Sequence, residues 1–357
     1  MSAGLILALT LATPAAADSL RIATWDPGLS RDGPGLLVRD LATARDAQAG
    51  AVLDVIVVAD ADVLLLTDLD WDADHVALHA LQAALSALGH PYPHVFAFRP
   101  NAGEPTGFDL DGDGQTSGPR DAHGFASFRG QGGMAILSRL PLDSERARDL
   151  SPFLWRDLPG NRMAEAGLPE GAEDVLRLSA HGMWDVPVLL PNGSALRLLA
   201  WHAGPPVFAP ENMNRARNHD EAAFWPLYLD GKLPWAAPEG PFVLLGNANA
   251  DPEDGAGDRT AIRALLSDPR LADPRPQSPG GAAAAIPGKA GDPALDTTDW
   301  AGNPNVGDNL RVDYVLPSAD LTVTAAGTLW PAPSDPFAPT VAQASSHRLV
   351  WIDIALP

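Results

Sequence analysis

The chain has 357 residues, 46% of them hydrophobic and 19% charged, which permits a sizeable core and excludes a globally disordered chain. Its formal net charge is −21, and its only lysines are Lys232 and Lys289, which disfavours nonspecific binding to nucleic acid or to an anionic membrane. It has no cysteine, so disulfides, thiolate nucleophiles, zinc–thiolate sites and iron–sulfur clusters are excluded.

Residues 1–17 read as a signal peptide, with an apolar run from Leu5 to Leu11 and an Ala15-Ala16-Ala17 cleavage site. The rest, 18–357, reads as one α/β unit, expected in the periplasm or outside the cell. Leu20 to Trp25 is a predicted strand. Leu36 to Ala59 carries helical spacing at Leu37, Leu41, Val52, Val55 and Ile56. Val63 to Leu66 is a continuous apolar run, suited to a strand buried on both faces. Asp72 is positioned to cap a helix that runs to Leu88 and stops at Gly89. His94 to Phe98 and Met134 to Ser138 are further strands. Pro191-Asn192-Gly193 marks a hairpin between Val186 to Leu190 and Ala195 to Trp201. Residues 212–230 are helical, and Pro241 to Leu245, Arg311 to Leu316, Leu321 to Gly327 and Leu349 to Ile354 complete the strands. Residues 99–132 and 272–308 read as long loops.

Polar groups recur where the apolar runs stop. Asp26 follows the first strand, Asp68 the second, His202 the strand through Trp201, and Asn247 and Asn249 the strand through Leu245; His347 stands before Leu349. In layered α/β folds ligands collect at strand ends, so these groups are expected to share one site.

The same segments resemble the endonuclease/exonuclease/phosphatase superfamily of metal-dependent phosphoesterases. Arg21-Ile22-Ala23-Thr24-Trp25-Asp26, Leu64-Leu65-Leu66-Thr67-Asp68, Gly133-Met134-Ala135-Ile136-Leu137-Ser138-Arg139, Gly246-Asn247-Ala248-Asn249, Arg311-Val312-Asp313-Tyr314 and Ser345-Ser346-His347 follow its motifs in order. The resemblance implies a four-layer α/β/β/α sandwich of two mixed sheets. It implies a magnesium or manganese ion held by Asp26 and Asp68, and a water that attacks the substrate phosphate in line. It places His202 at the phosphoryl oxygens, Asn249 in orientation of nucleophile or phosphate, and His347 as general base or phosphate contact, with Asp313 and Asn247 in the same machinery. Four positions depart from the pattern. Asp26 stands for Asn, Asp68 for Glu, Asn247 for the Asp that orients or deprotonates the water, and Ser346 for the Asp expected to partner the last histidine. An amide cannot act as a base, and losing such a group typically costs about 10²–10⁴ in rate. Asp26 is a candidate to replace it in part, provided that it does not ligate the metal.

Arg215, Asn218, His219 and His181 are further candidates for substrate contact, with a solvated helix face as the alternative for the first three. Asp109-Leu110-Asp111-Gly112-Asp113-Gly114 follows the opening of a calcium loop, so Asp109, Asp111 and Asp113 are candidate ligands for a structural calcium ion, with Asp121 as a substitute for the missing glutamate. An acidic solvent loop is the alternative. Three functions fit: an exported metal-dependent hydrolase of a small phosphate ester, a noncatalytic relative that binds ligand or calcium, and a secreted nuclease. The sequence leaves the oligomeric state open.

Overall fold

Residues 19–43, 46–208, 210–302 and 307–356 are described in the computed structural model; the expected signal peptide lies outside them. One sheet holds β1 (Ser19–Trp25), β2 (Val63–Leu69), β3 (His94–Phe96), β4 (Gly133–Ser138), β10 (Val323–Leu329) and β11 (Leu349–Ala355), in the order β10-β11-β1-β2-β4-β3. The other holds β5 (Arg148–Asp149), β6 (Gly182–Leu189), β7 (Ala195–His202), β8 (Phe242–Asn247) and β9 (Asp313–Pro317), in the order β5-β6-β7-β8-β9.

Side-chain alternation explains the stacking. Along β7, Leu196, Leu198 and Ala200 enter the core shared with the first sheet, while Leu199 and Trp201 face the opposite way. That opposite face is covered by α4 (Glu211–Leu229) and α5 (Thr260–Leu266), through Phe224, Trp225 and Leu265. The outer face of the first sheet is covered by α1 (Leu36–Thr43), α2 (Ala47–Ala59), α3 (Val76–Ala87) and α7 (Ala338–Ala344). The result is the four-layer α/β/β/α sandwich, with α6 (Pro279–Ala283) lying in the loop before β9.

The pattern over Leu36 to Ala59 is two helices rather than one. Asp46 caps the second, its carboxylate accepting the Ala49 N–H at 2.7 Å. Asp72 does accept N–H groups from Val76 and Ala77, but from one turn ahead of the helix, with His75 at the cap position. Loop 99–132 is tied down by Asn101, whose side chain bonds the carbonyls of Ser151 and Ser179 at 2.8 Å each and accepts from Arg177 at 2.7 Å.

Register brings one end of both sheets together. β1 and β2 run parallel, as do β7 and β8, while β11 and β9 run antiparallel to their neighbours β1 and β8. The C-terminal ends of the four parallel strands therefore meet the N-terminal ends of β9 and β11. Within the second sheet His202 pairs Asn247, and Asn247 pairs Asp313, so these three form one row.

Candidate active site

Asp26, Asp68, His202, Asn247, Asn249 and His347 line one cavity of about 520 Å³ at that end, together with His181. Their placement is built into the backbone. Register shifts in β2 between Leu66 and Leu69, and Asp68 sits in this irregularity at φ +53°. Such a bulge re-aims a side chain that plain alternation would fix. Asn249 is also left-handed, at φ +48°; its amide donates to the Ala203 carbonyl at 2.7 Å and its own N–H reaches Asn247 Oδ1 at 2.8 Å. Gly246 has φ +141°, and a Cβ there would lie 1.8 Å from the Trp201 carbonyl oxygen. Glycine is thus required for β8 to approach β7 closely enough to set His202 beside Asn247.

Asp26 is the hinge of the constellation. Its Oδ1 accepts the Gly28 N–H at 3.2 Å, its Oδ2 accepts from Asn247 Nδ2 at 3.4 Å, and His347 Nε2 lies 4.0 Å from Oδ2. The Ser345 hydroxyl donates to the Asp26 carbonyl at 2.7 Å and accepts the His347 N–H at 2.9 Å, which locks the two segments together.

His347 donates from Nδ1 to Asp313 Oδ2 at 2.9 Å, and Thr297 Oγ1 donates to the same carboxylate oxygen at 2.9 Å. Asp313, rather than a group at position 346, is therefore the carboxylate partner of the last histidine. Ser346 is exposed and accepts from Trp300 Nε1 at 3.2 Å, so its replacement of an acid leaves the histidine–carboxylate pair intact. Nor is Asp313 held by Arg311, which pairs with Asp273 at 2.6 Å.

The titration of the site follows from burial and neighbours. Burial alone would lower His347, but the charges of Asp313 and Asp26 outweigh it and raise its pKa to about 9, so the ring is an imidazolium at neutral pH. Burial pushes Asp26 above the ordinary carboxylate range, against the pull of His347. Burial, and then the Asp26 carboxylate, push Asp68 up to about 7. His181 and His202 behave oppositely. Burial lowers His181 to about 4, and holds His202 well below its usual value. Their rings stack at 4.0 Å. A carbonyl oxygen can only accept, so the 3.1 Å contact of His181 Nδ1 with Gly132 fixes the proton on Nδ1 and leaves Nε2 as an acceptor. His202 Nδ1 is buried without a hydrogen-bond partner among the described residues.

The acid pair suits a hard divalent cation. The buried carboxylate of Asp26 and the half-buried one of Asp68 face one imidazolium, so their charge is under-compensated, and oxygen donors are the ligands magnesium or manganese takes. Magnesium commonly uses one or two carboxylates and completes its shell with water and substrate oxygens.

Two candidates from α4 lie elsewhere. Arg215 is exposed and off the cavity wall; His219 pairs through Nδ1 with Asp220 at 2.8 Å. Asn218 is buried and donates to the carbonyls of Gly204 and Ala248, at 2.9 Å each, joining the loops that leave β7 and β8. Glu221, one turn on, has the larger part. Its carboxylate accepts Ala180 N–H at 2.7 Å and Gly204 N–H at 2.8 Å, so it pins the residues next to His181 and just past His202. Sequence reasoning missed it because an acidic residue on a polar helix reads as solvated. The calcium-loop candidates lie outside the cavity. Asp109, Asp111 and Asp121 bring ligand oxygens within 4.8 Å of one another; Asp113 is not in this group and accepts the Gln115 N–H at 2.8 Å.

The chain matches the family described as endonuclease/exonuclease/phosphatase over residues 32–338. No curated protein matches it by sequence. Among solved structures it is similar to an endonuclease/exonuclease/phosphatase from Beutenbergia cavernae, with 19% identity over 95% of this chain and 72% of that one and a TM-score of 0.56. It is likewise similar to the human nocturnin catalytic domain with bound sulfate anion, with 15% identity, 95% and 94% coverage and a TM-score of 0.52. A family protein from Leptotrichia buccalis shares 14% identity over 94% and 100%, with a TM-score of 0.51. At these identities the likeness is one of fold.

Proposed function

The chain belongs to the endonuclease/exonuclease/phosphatase family, and from that premise we propose that it is a divalent-metal-dependent phosphoester hydrolase acting on a small phosphate ester. The observation that carries the reading is the meeting of Asp26, Asp68, His202, Asn249, the Asp313–His347 pair and Asn247 at one cavity. The nocturnin domain, of the same fold, was solved with a sulfate anion, a tetrahedral oxyanion like phosphate.

Asp68 would hold the cation, which when bound supplies positive charge against the phosphoryl oxygens, and Asp26 serves as the base rather than as a second ligand. His347, as imidazolium, donates from Nε2 to a phosphoryl oxygen, and Asp313 keeps it protonated and oriented. His202 and Asn249 complete the anion-facing wall. The Asp26 carboxylate takes the proton of the attacking water through one oxygen, while Asn247 holds the other. The water oxygen bonds to phosphorus, the ester P–O bond breaks, and the leaving alkoxide takes a proton from solvent, to which Asp26 then returns the one it removed. Position 247 thus orients the base that an amide cannot itself be. The test is hydrolysis of simple phosphate esters with magnesium or manganese, lost with EDTA and with His202→Ala; no turnover with any divalent metal overturns the reading.

A noncatalytic relative is the second reading, and the amide at 247 is the observation that favours it. It predicts binding without turnover, and a gain of activity in Asn247→Asp. The net charge of −21 weighs against a nuclease. Among the described residues no helix is long and apolar enough to cross a membrane. We also propose export, on the Leu5 to Leu11 run and the Ala15–Ala17 site; N-terminal sequencing of the secreted product would begin at Asp18.

A further inference from the structure

The lining of the cavity is of two kinds. Carboxylates, imidazoles and amides come from the strand ends. Apolar groups come from two loops, one contributing Phe125 beside Ala122 and Gly124, the other Phe208 with Pro205 and Pro210, and from Met213 on the following helix. Phe125 is 64% exposed and Phe208 46% exposed. Among the described residues six large hydrophobic side chains are exposed; these are the two aromatic ones, and both line this cavity.

Exposed aromatic rings are costly unless something covers them. Phe208 is moreover held at φ +68°, a left-handed conformation that a bulky side chain rarely adopts. Asn214 bonds the carbonyls of Val207 and Phe208, at 2.9 and 3.2 Å, and so fixes this turn. Six non-glycine residues among those described have positive φ, and three of them, Asp68, Phe208 and Asn249, line this one cavity. Backbone strain of this kind collects where a side chain must be presented.

The arginines of the lining are already engaged. Arg217 donates to the carbonyls of Arg177, Leu178 and Ser179, and Arg120 lies 4.0 Å from Asp111. A second phosphate or a polyanionic chain would therefore have to displace existing partners.

Resting on the phosphoesterase reading above, we propose that these apolar groups bind the alcohol part of the substrate. The preferred esters are those of apolar alcohols, aryl or alkyl, over sugar phosphates and nucleotides. The phosphate sits between the acid pair and the histidines, and the apolar group lies against Phe125 and Phe208.

Calorimetry with two nonhydrolysable probes, phenylphosphonate and methylphosphonate, both with magnesium, separates this proposal from the one beneath it. Covering one half-exposed Phe should favour the phenyl probe by roughly tenfold in affinity. Phe125→Ser and Phe208→Ser should each remove most of that ratio, with the melting temperature recording that the variants are folded, and Phe125→Leu should restore part of it. Equal affinity for the two probes in the wild-type protein, or a ratio untouched by either serine variant, overturns the apolar subsite while the phosphonate affinity upholds the phosphate site. Absence of binding by either probe, together with no ester hydrolysis, overturns both.

Discussion

Two groups of aspartates on this molecule have opposite fates. Those at the strand ends, Asp26 buried and Asp68 half-buried, face each other and an imidazolium; Asp68 is pushed up to about 7. In the Asp109 loop, Asp111 and Asp113 lie in solvent, while the half-buried Asp109 and the buried Asp121 are saturated by the backbone. Asp109 alone accepts the N–H groups of Gly112, Asp113 and Gly114, and Asp121 accepts those of Leu110 and Gly118. A carboxylate that is solvated and bonded gains little from a cation, whereas a pair removed from water gains much. Spacing along the chain advertises the second group; only the fold reveals the first.

The largest expected effect tests Asp26. Asp26→Asn should lower kcat by about 10²–10⁴. The exchange Asp26→Asn with Asn247→Asp returns a carboxylate to the other end of the same 3.4 Å contact, and should recover most of the loss. A double variant as inactive as the single one would show that position 26 serves only to hold the cation.

Next is Asp313→Asn. It removes the main partner raising His347, so the group should titrate nearer its ordinary value, about 6.5, than at about 9. In the proposed mechanism the protonated form is the active one, so the alkaline limb of the rate profile should move down. The stability contribution has the same sign: it is fully present below about 6.5 and is lost as pH rises through about 9. A profile unchanged by the substitution would separate His347 from the chemistry.

Glu221→Ala should leave the Ala180 and Gly204 N–H groups unsatisfied and cost about 1–3 kcal/mol, read from urea unfolding. The smallest effect belongs to the exposed loop. Asp109→Asn with Asp111→Asn should change stability by no more than about 0.5 kcal/mol, whether measured in calcium or in EDTA. A melting temperature several degrees higher in calcium, lost in that variant, would break the comparison by showing a cation site among carboxylates that already accept backbone N–H groups.

Much of this arrangement was legible before the coordinates. Apolar runs mark β1, β2, β7 and β8 because strands buried on both faces need them, and the residue after each run must lie at a sheet end. Order along the chain therefore placed Asp26, His202 and Asn247. Partnership was not legible. The family motif puts an acid at position 346 as the partner of His347, yet successive residues in extended chain point to opposite sides, and the acid comes from the neighbouring sheet. Arg215 and His219 lie off the cavity for a similar reason: helical phase decides which residues of α4 face inward, and Arg217, Asn218, Asp220 and Glu221 are the buried polar ones. The strain at Asp68 and Phe208 has no sequence signature at all.

The last strand, β11, lies between β10 and the first strand, β1, and delivers His347 to Asp26. A polypeptide cut short before that closing segment would lose at one stroke the antiparallel partner of β1, the buried side chains of Leu349, Val350, Ile352 and Ile354, and the imidazolium that faces Asp26.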